Sequence, residues 1–590
     1  MTEFFARLKQ RKLVQWAIAY AAFAFALIQV LDVIAQRFGW PDQLEKILIL
    51  ALAVGFLVVL VLAWYHGERG AQRVSGTEIV ILALLLAIGG GLLWRFERVS
   101  GATGGASVAA APSAAQARAI AQVVPIPAKS VAVLPFENLS GDTNEKYFSD
   151  GITEEILSAL AQIPGLKVAG RTSAFQFSSR DENLRHIGET LGVADVLVGS
   201  VQKAGDEVRI NVQLVDTDSG YQRWSEKYDR KLTNIFAVED DISSAIAGKL
   251  RVQLTGGGGQ PLVAQKAIDP RAHDFYLHGL PLIATRGPAL REAVADFQQA
   301  VAIDPGYAQA WAALAEAQLL LPHYFLEPQD TAVPAGAAAA KRALEIDPEV
   351  ASAYVALGMH YRVQWKWRDA DVAFRKALKI APGDAEAADQ YGQYLLAAGR
   401  LQDALAEIER AQKLDPLSGI IGVTRANVLT ALHRFGDATV QARRVTELRP
   451  DYALGHFVAA DVAIYRHDYT EAKAQLDTGA RIAGENPDVY SRLVDGIADP
   501  AKRAAARQAV VTATADTHQR LTRTARIKWL MLLGDRDDAL EALQGVGYEI
   551  MFGQDNVWQP AFDPIRNDPR FKAVLKKMGL PYKAAENAHG

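Results

Sequence analysis

The chain has 590 residues, a formal net charge of −4, half of its residues hydrophobic and no cysteine. This mildly acidic balance excludes electrostatic steering toward nucleic acid, and the missing cysteines exclude thiolate metal ligands and a thiol nucleophile. The length leaves room for about four domains of the usual ~150 residues.

The unusual hydrophobicity lies in the first hundred residues. Three apolar runs, Leu13 to Ile34, Ile47 to Tyr65 and Ile79 to Trp94, approach the ~20 residues that a bilayer core demands, the third being short. They predict a membrane domain over 1–98 with three transmembrane helices (13–34, 47–65, 79–94). Trp16, Trp40, Trp64, Tyr65 and Trp94 fall near the ends of the runs, where an amphipathic ring meets headgroups. Asp32 sits at a run end as an interfacial carboxylate, and Gly89, Gly90 and Gly91 form a flat surface for helix contact. Arg7, Lys9, Arg11 and Lys12 predict a cytoplasmic N-terminus in a bacterial inner membrane, and three crossings then place the remainder in the periplasm. The absence of cysteine agrees weakly with export.

Residues 99–129, rich in Ala, Gly, Ser and Pro, read as a flexible linker. Over 130–254 the periodicity changes to that of a small α/β domain: a strand at Ser130 to Pro135, a helix at Tyr147 to Ile163 with Asp150, Glu154 and Glu155 near its start, a strand at Leu166 to Gly170 and a helix at Asn183 to Leu191. Strands at Asp195 to Ala204 and Glu207 to Asp216 follow, joined by a hairpin turn at Ala204-Gly205-Asp206, then a strand near Tyr221 to Tyr228 and a closing helix at Phe236 to Leu254. Val208, Ile210, Val212 and Leu214 alternate with Arg209, Asn211 and Gln213, so one sheet face is covered and the other wet. Four successive glycines in Thr255 to Gly259 mark a hinge, taken as 255–272.

Beyond the hinge, Pro348, Pro382, Pro416 and Pro450 recur every 34 residues, the period of the tetratricopeptide helix-turn-helix repeat. The copy before Pro382 supplies Tyr354, Leu357, Gly358, Tyr361, Ala370, Phe374 and Ala377 in register. Gly392, Ala404 and Ala411 keep the small positions in the next copy, and Trp311, Leu314 and Ala315 open an earlier one whose second helix is displaced by an insertion around Leu321 to Val333. About five to six repeats fill 273–487, enough to bury a continuous core. A helical C-terminal cap over 488–590 includes a degenerate pair at Ala525 to Leu533 and Arg536 to Leu543. The predicted fold class is thus α/β plus all-α: transmembrane helices, a small α/β domain and an α-solenoid.

The series Val131-Ala-Val-Leu-Pro-Phe-Glu-Asn-Leu-Ser140, Asp150-Gly-Ile-Thr-Glu-Glu155, Gly170-Arg-Thr-Ser173, Leu197-Val-Gly-Ser-Val201 and Trp224 to Tyr228 resembles the TolB amino-terminal-like domain found ahead of tetratricopeptide repeats in bacterial membrane proteins. The resemblance runs to Phe562-Asp-Pro-Ile-Arg-Asn-Asp-Pro-Arg-Phe571 and covers nearly the whole chain. It implies a non-catalytic interaction or sensory module, in a family whose relatives carry a cyclase or a winged-helix domain. The dozen residues before the first apolar run are too few for either.

Catalytic spacing is missing: there is no H-E-x-x-H, G-x-S-x-G or G-x-x-x-x-G-K-[ST]. No catalytic, cofactor or metal residue is assigned, and Glu239-Asp240-Asp241 reads as helix-dipole complement. What remains is the concave face, lined from the first helix of each repeat. It places Gln309, Glu316, Ser352, Met359, Arg362, Glu386, Asp389, Gln393, Asn427, Thr430, Phe457 and Asp461 toward a ligand. The expected function is a non-enzymatic, membrane-anchored scaffold binding a protein or peptide partner of the cell envelope. The alternative is a transmembrane sensor related to the cyclase- or winged-helix-linked proteins.

Overall fold

In the computed structural model, the structure describes residues 126–140, 146–177, 183–204, 207–231, 268–324, 326–515, 523–545 and 556–582. The first layer is an α/β sheet in the order β3-β1-β4-β5-β6, with β2 also pairing β4. Its elements are β1 (Ser130–Val133), β2 (Glu137–Asn138), α1 (Lys146–Ala161), β3 (Lys167–Val168), α2 (Arg171–Ala174), α3 (Leu184–Leu191), β4 (Asp195–Ala204), β5 (Glu207–Asp216) and β6 (Gln222–Lys231). β1 is parallel to β3 and β4, and β4, β5 and β6 form an antiparallel meander.

The alternation in β5 is realised: Val208, Ile210, Val212 and Leu214 are buried on one face with Leu197, Val201 and Ile156. On the opposite face Ala132, Leu134 and Val196 pack with Ile187 and Leu191 of α3. Asn183 caps α3 through its side chain, and Gly192 ends it in the left-handed region that glycine tolerates. α1 differs from expectation: its first turn carries no acid, and Glu154 instead holds Arg171 at 2.6 Å. The helix expected at Phe236 to Leu254, the glycine run 255–259 and the turn residues 205–206 lie outside the described residues.

The second layer begins at Pro270 and consists, among the described residues, of eight helical hairpins: α4 (Pro270–Thr285) with α5 (Ala289–Ile303), α6 (Ala308–Leu320) with α7 (Gln329–Ile346), α8 (Ala351–Val363) with α9 (Trp367–Ile380), α10 (Ala385–Ala397) with α11 (Leu401–Leu414), α12 (Gly419–Ala431) with α13 (Phe435–Leu448), α14 (Ala453–Tyr465) with α15 (Tyr469–Ala483), α16 (Pro487–Ala498) with α17 (Arg503–Ala515), and α18 (Arg523–Leu533) with α19 (Arg536–Gln544). The hairpin α16/α17 lies inside the expected cap, where the 34-residue register no longer marks it. A 3-10 segment, Pro560–Ile565, and α20 (Pro569–Lys577) follow.

First helices of successive hairpins touch one another from α6 to α14, so they form the inner wall of the curve. Their sequences show why. α10 and α12 are buried almost all round, polar Asp389, Gln390, Thr424 and Asn427 included, whereas α9 buries only Ala370, Ala373, Phe374 and Ala377 along one stripe. Close approach depends on small residues: a Cβ at Gly358 would come within 2.7 Å of the Phe374 ring.

The turns inside four hairpins repeat one geometry. Trp365, Gly399, His433 and His467, 34 residues apart, all have positive φ. The next amide of each, at Lys366, Arg400, Arg434 and Asp468, donates over 2.9 Å to the carbonyl of Tyr361, Leu395, Leu429 and Ala463. This is a Schellman closure.

The α/β layer is bonded directly to the solenoid. Gly170 N donates to Leu414 O, Ser173 N to Asp415 Oδ1 over 2.8 Å, Leu417 N to Ser173 Oγ over 2.8 Å, and Gly383 N to Ala161 O over 3.1 Å. Val124–Gly590 accordingly forms one compact unit.

The membrane expectation is corrected. Among the described residues no helix is long and apolar enough to cross a membrane. The longest of them, α7, has 18 residues and carries Asp330, Lys341, Arg342 and Glu345, charges that hydrocarbon does not accept without cost. The described fold is therefore a mostly helical, tetratricopeptide-like solenoid with an α/β layer, not one led by transmembrane helices, and an inner-membrane location is not supported. The runs 13–34, 47–65 and 79–94 and the linker up to residue 125 lie outside the described residues.

Candidate functional site: the inner face of the solenoid

The twelve residues expected to line the groove all lie on inner helices, and none is exposed. Met359, Arg362, Asp389, Asn427, Thr430 and Asp461 are buried, while Gln309, Glu316, Ser352, Glu386, Gln393 and Phe457 are half-buried.

Five of them gather in the first half of the curve around a residue the sequence did not single out, Arg286. It follows α4 with φ 64° and ψ −172°, a region almost reserved for glycine. Its guanidinium reaches Glu386 on α10 at 3.0 Å and Glu316 on α6 at 3.9 Å, so one side chain joins three inner helices. One turn beyond Glu386, Asp389 is 0 % exposed. Its Oδ2 accepts from Gln393 Nε2 at 2.7 Å, and its Oδ1 has no hydrogen-bond donor. Gln393 in turn accepts from Arg362 Nη1 at 3.4 Å.

Burial dominates the electrostatics here. It pushes the Asp389 carboxyl up to about 7, with the Glu386 charge adding to it, and pushes Glu316 up to about 7 for the same two reasons. It lowers the Arg362 guanidinium to about 10. At Arg286 burial works toward a lower value, but the adjacent Glu386 and Glu316 carboxylates hold it above the ordinary arginine value. Each direction follows from the cost of a charge away from water set against the charges beside it.

The second half of the curve is filled by the chain itself. Lys528 on α18 donates to Asp461 over 2.8 Å, both side chains being under a tenth exposed. Gln559 Nε2 donates to the Asn427 carbonyl over 3.2 Å. Trp558, 1 % exposed, donates from its indole to Ala397 O over 3.0 Å. It lies against Gly399, where a Cβ would come within 2.6 Å of the indole ring. Thr430 is turned back onto its own helix, donating to Ala426 O, Phe457 packs on Tyr490, and Met359 belongs to the apolar core.

Arg286, Lys528, Trp558 and Gln559 were not read from the sequence as inner-face residues. The Arg286-Gly287-Pro288 breaker was the one local signal for the first; the other three meet the curve only through long-range folding. Among the described residues, no three His, Asp or Glu side chains come close enough to hold a metal ion.

No family model matches the chain. A Rhizobium meliloti (strain 1021) protein named "Putative adenylate cyclase 3" is 40% identical over 191 residues, 32% of this chain and 32% of that protein; the chain thus matches about a third of that relative's length. Among solved structures, the chain is similar to Pseudomonas aeruginosa PilF (21% identity, TM-score 0.29, covering 36% of this chain and 92% of that one). It is also similar to YrrB, titled as a tetratricopeptide protein with an unusual peptide-binding site (23%, 0.24, 32% and 91%), and to a human IFIT1 dimer with m7Gppp-AAAA (13%, 0.34, 52% and 77%). The 34-residue register and the stacked hairpins themselves make the chain a tetratricopeptide-like solenoid.

Proposed function

We propose that the chain is a non-enzymatic interaction scaffold that binds a protein or peptide segment on the inner face of its solenoid, with the α/β layer, read as a TolB amino-terminal-like domain, as a second interaction module. The observation that carries this reading is the inner-face cluster of Arg286, Glu316, Glu386 and Asp389. Charged groups there converge from three hairpins, and one buried carboxylate oxygen lacks a donor. Apolar side chains at those positions would pack without the desolvation cost of buried charge, so charges retained there suit recognition better than stability.

A photo-crosslinking residue at Gln309 or Ser352, on the inner helices, tests the reading against one at Val440, which is 70% exposed on an outer helix. The inner positions are expected to trap a discrete partner segment and Val440 none; equal labelling at all three would overturn the groove.

A second reading has one observation in its favour, the 40% identity over 191 residues to the cyclase-named protein: the chain would be a signalling component. Cyclic AMP formation by the purified full chain, lost on replacing a single carboxylate, would overturn the non-enzymatic reading.

A further inference from the structure

We infer that the inner face between α6 and α10 is a site for a cationic side chain, the guanidinium of an arginine in the partner segment, received by Glu316, Glu386 and Asp389. The inference rests on the scaffold reading and specifies the chemistry of its partner.

Three observations converge on it. First, the face already holds one guanidinium of the chain's own: Arg286 stands between Glu386 and Glu316. The spacing of these carboxylates therefore suits a planar, forked donor, which forms stronger and more directional bonds to carboxylates than an ammonium does. Second, the face carries three carboxylates to two guanidiniums, Arg286 and Arg362, and the second guanidinium is directed to the Gln393 amide. Third, Asp389 is wholly buried and its Oδ1 receives no hydrogen bond. A buried acceptor left open costs about 1–3 kcal/mol. A metal ion is the less fitting occupant, since no three acidic or histidine side chains among the described residues converge closely enough. A charged donor from a bound segment would satisfy Oδ1 and balance the excess carboxylate together.

The geometry also gives the site a pH signature. The groups that face Asp389 are Arg286, Arg362 on α8, Glu386 and Gln393 on its own helix, Thr424 on α12 and Tyr452 just before α14, and those that face Glu316 are Arg286, Glu386, Asp384 just before α10 and Glu154 of α1. Asp389 and Glu316 both titrate near 7, so a cation is held above that pH and released below it.

The test is fluorescence anisotropy of the full chain with labelled Gly/Ser dodecapeptides that carry two arginines, two lysines, two glutamates or no charge. At pH 8 the two-arginine peptide is expected to bind about tenfold tighter than the uncharged one, with lysine between, and most of that preference is expected to vanish at pH 6. Glu386→Gln and Asp389→Asn should each remove the preference; Glu386 is partly exposed, so its variant, though it weakens the Arg286 pair, is expected to fold even if that of Asp389 does not. Equal binding of arginine and glutamate peptides, or a preference that survives both substitutions, overturns the cationic site. If crosslinks at Gln309 or Ser352 still form under that result, the scaffold reading stands without this inference; if no segment crosslinks there at all, both fall.

Discussion

Asp389 and Asp461 are buried aspartates on the same inner wall, on α10 and α14, and the chain treats them differently. Asp461 has a dedicated cation, Lys528, brought from the last hairpin, while Asp389 has the Gln393 amide on Oδ2, the Thr424 hydroxyl and Arg362 nearby, and no donor on Oδ1. In the 34-residue register Met359, Gln393, Asn427 and Asp461 form one column. Its C-terminal members are covered by the chain's own Gln559 and Lys528, while Gln393 bonds Asp389 and Arg362 and Met359 lies in the apolar core. Asp389 belongs to the neighbouring column of Val355, Val423 and Phe457, so the inner wall supplies a partner charge at one end of the curve and leaves a carboxylate oxygen open at the other. A buried charge stabilises only when its partner is supplied in the same fold.

The largest expected effect lies at the satisfied end. Lys528→Ala strands Asp461 without its cation and should cost about 3–5 kcal/mol, read as lost hydrogen-exchange protection in α14 and α18. Pairing it with Asp461→Leu should recover most of that loss, and failure to recover would mean that Lys528 stabilises by packing. Trp558→Ala empties the slot over Gly399 and should cost about 3–5 kcal/mol, seen as urea sensitivity of 556–582 and of the α10–α11 turn. An unchanged urea profile would show that the C-terminal segment does not stabilise the curve.

At the open end the effect is one of pH. Between about pH 4 and 7 the native Asp389 keeps a proton that the unfolded chain has released, so this group makes stability fall as pH rises through that window. Glu316 acts in the same direction. Asp389→Asn should flatten the descent of the melting temperature between pH 5 and 8 relative to the parent; an unaltered slope would place the titration elsewhere. The smallest effect is expected at the turns. His467 holds a left-handed backbone that glycine adopts freely, and His467→Gly should stabilise by about 1 kcal/mol in thermal unfolding. Gly399→Ala at the equivalent turn should do the reverse and more strongly, since a Cβ there would also strike Trp558.

How far the site was legible follows from these residues. The twelve inner-face positions could be named because a fixed period puts the same face of each first helix on the same side of the stack. Their burial could not, because it depends on how tightly the eight hairpins curl and on what enters the curve from afar. Lys528 and Asp461 lie 67 residues apart and Ser173 and Asp415 lie 242 apart, distances over which local pattern carries no information.

By itself, the sequence determined the alternation of β5, the 34-residue hairpins and the small residues that let paired helices touch, because each of these is set by side-chain period and volume within a few turns of chain. The tertiary structure alone decided that the α/β layer is bonded to the solenoid through Ser173 and Asp415, that Trp558 and Gln559 cover one half of the inner wall, and that Arg286 gathers Glu316 and Glu386 in the other. Those contacts depend on accumulated curvature, in which a small rotation per hairpin, summed over several hairpins, determines which distant charges meet.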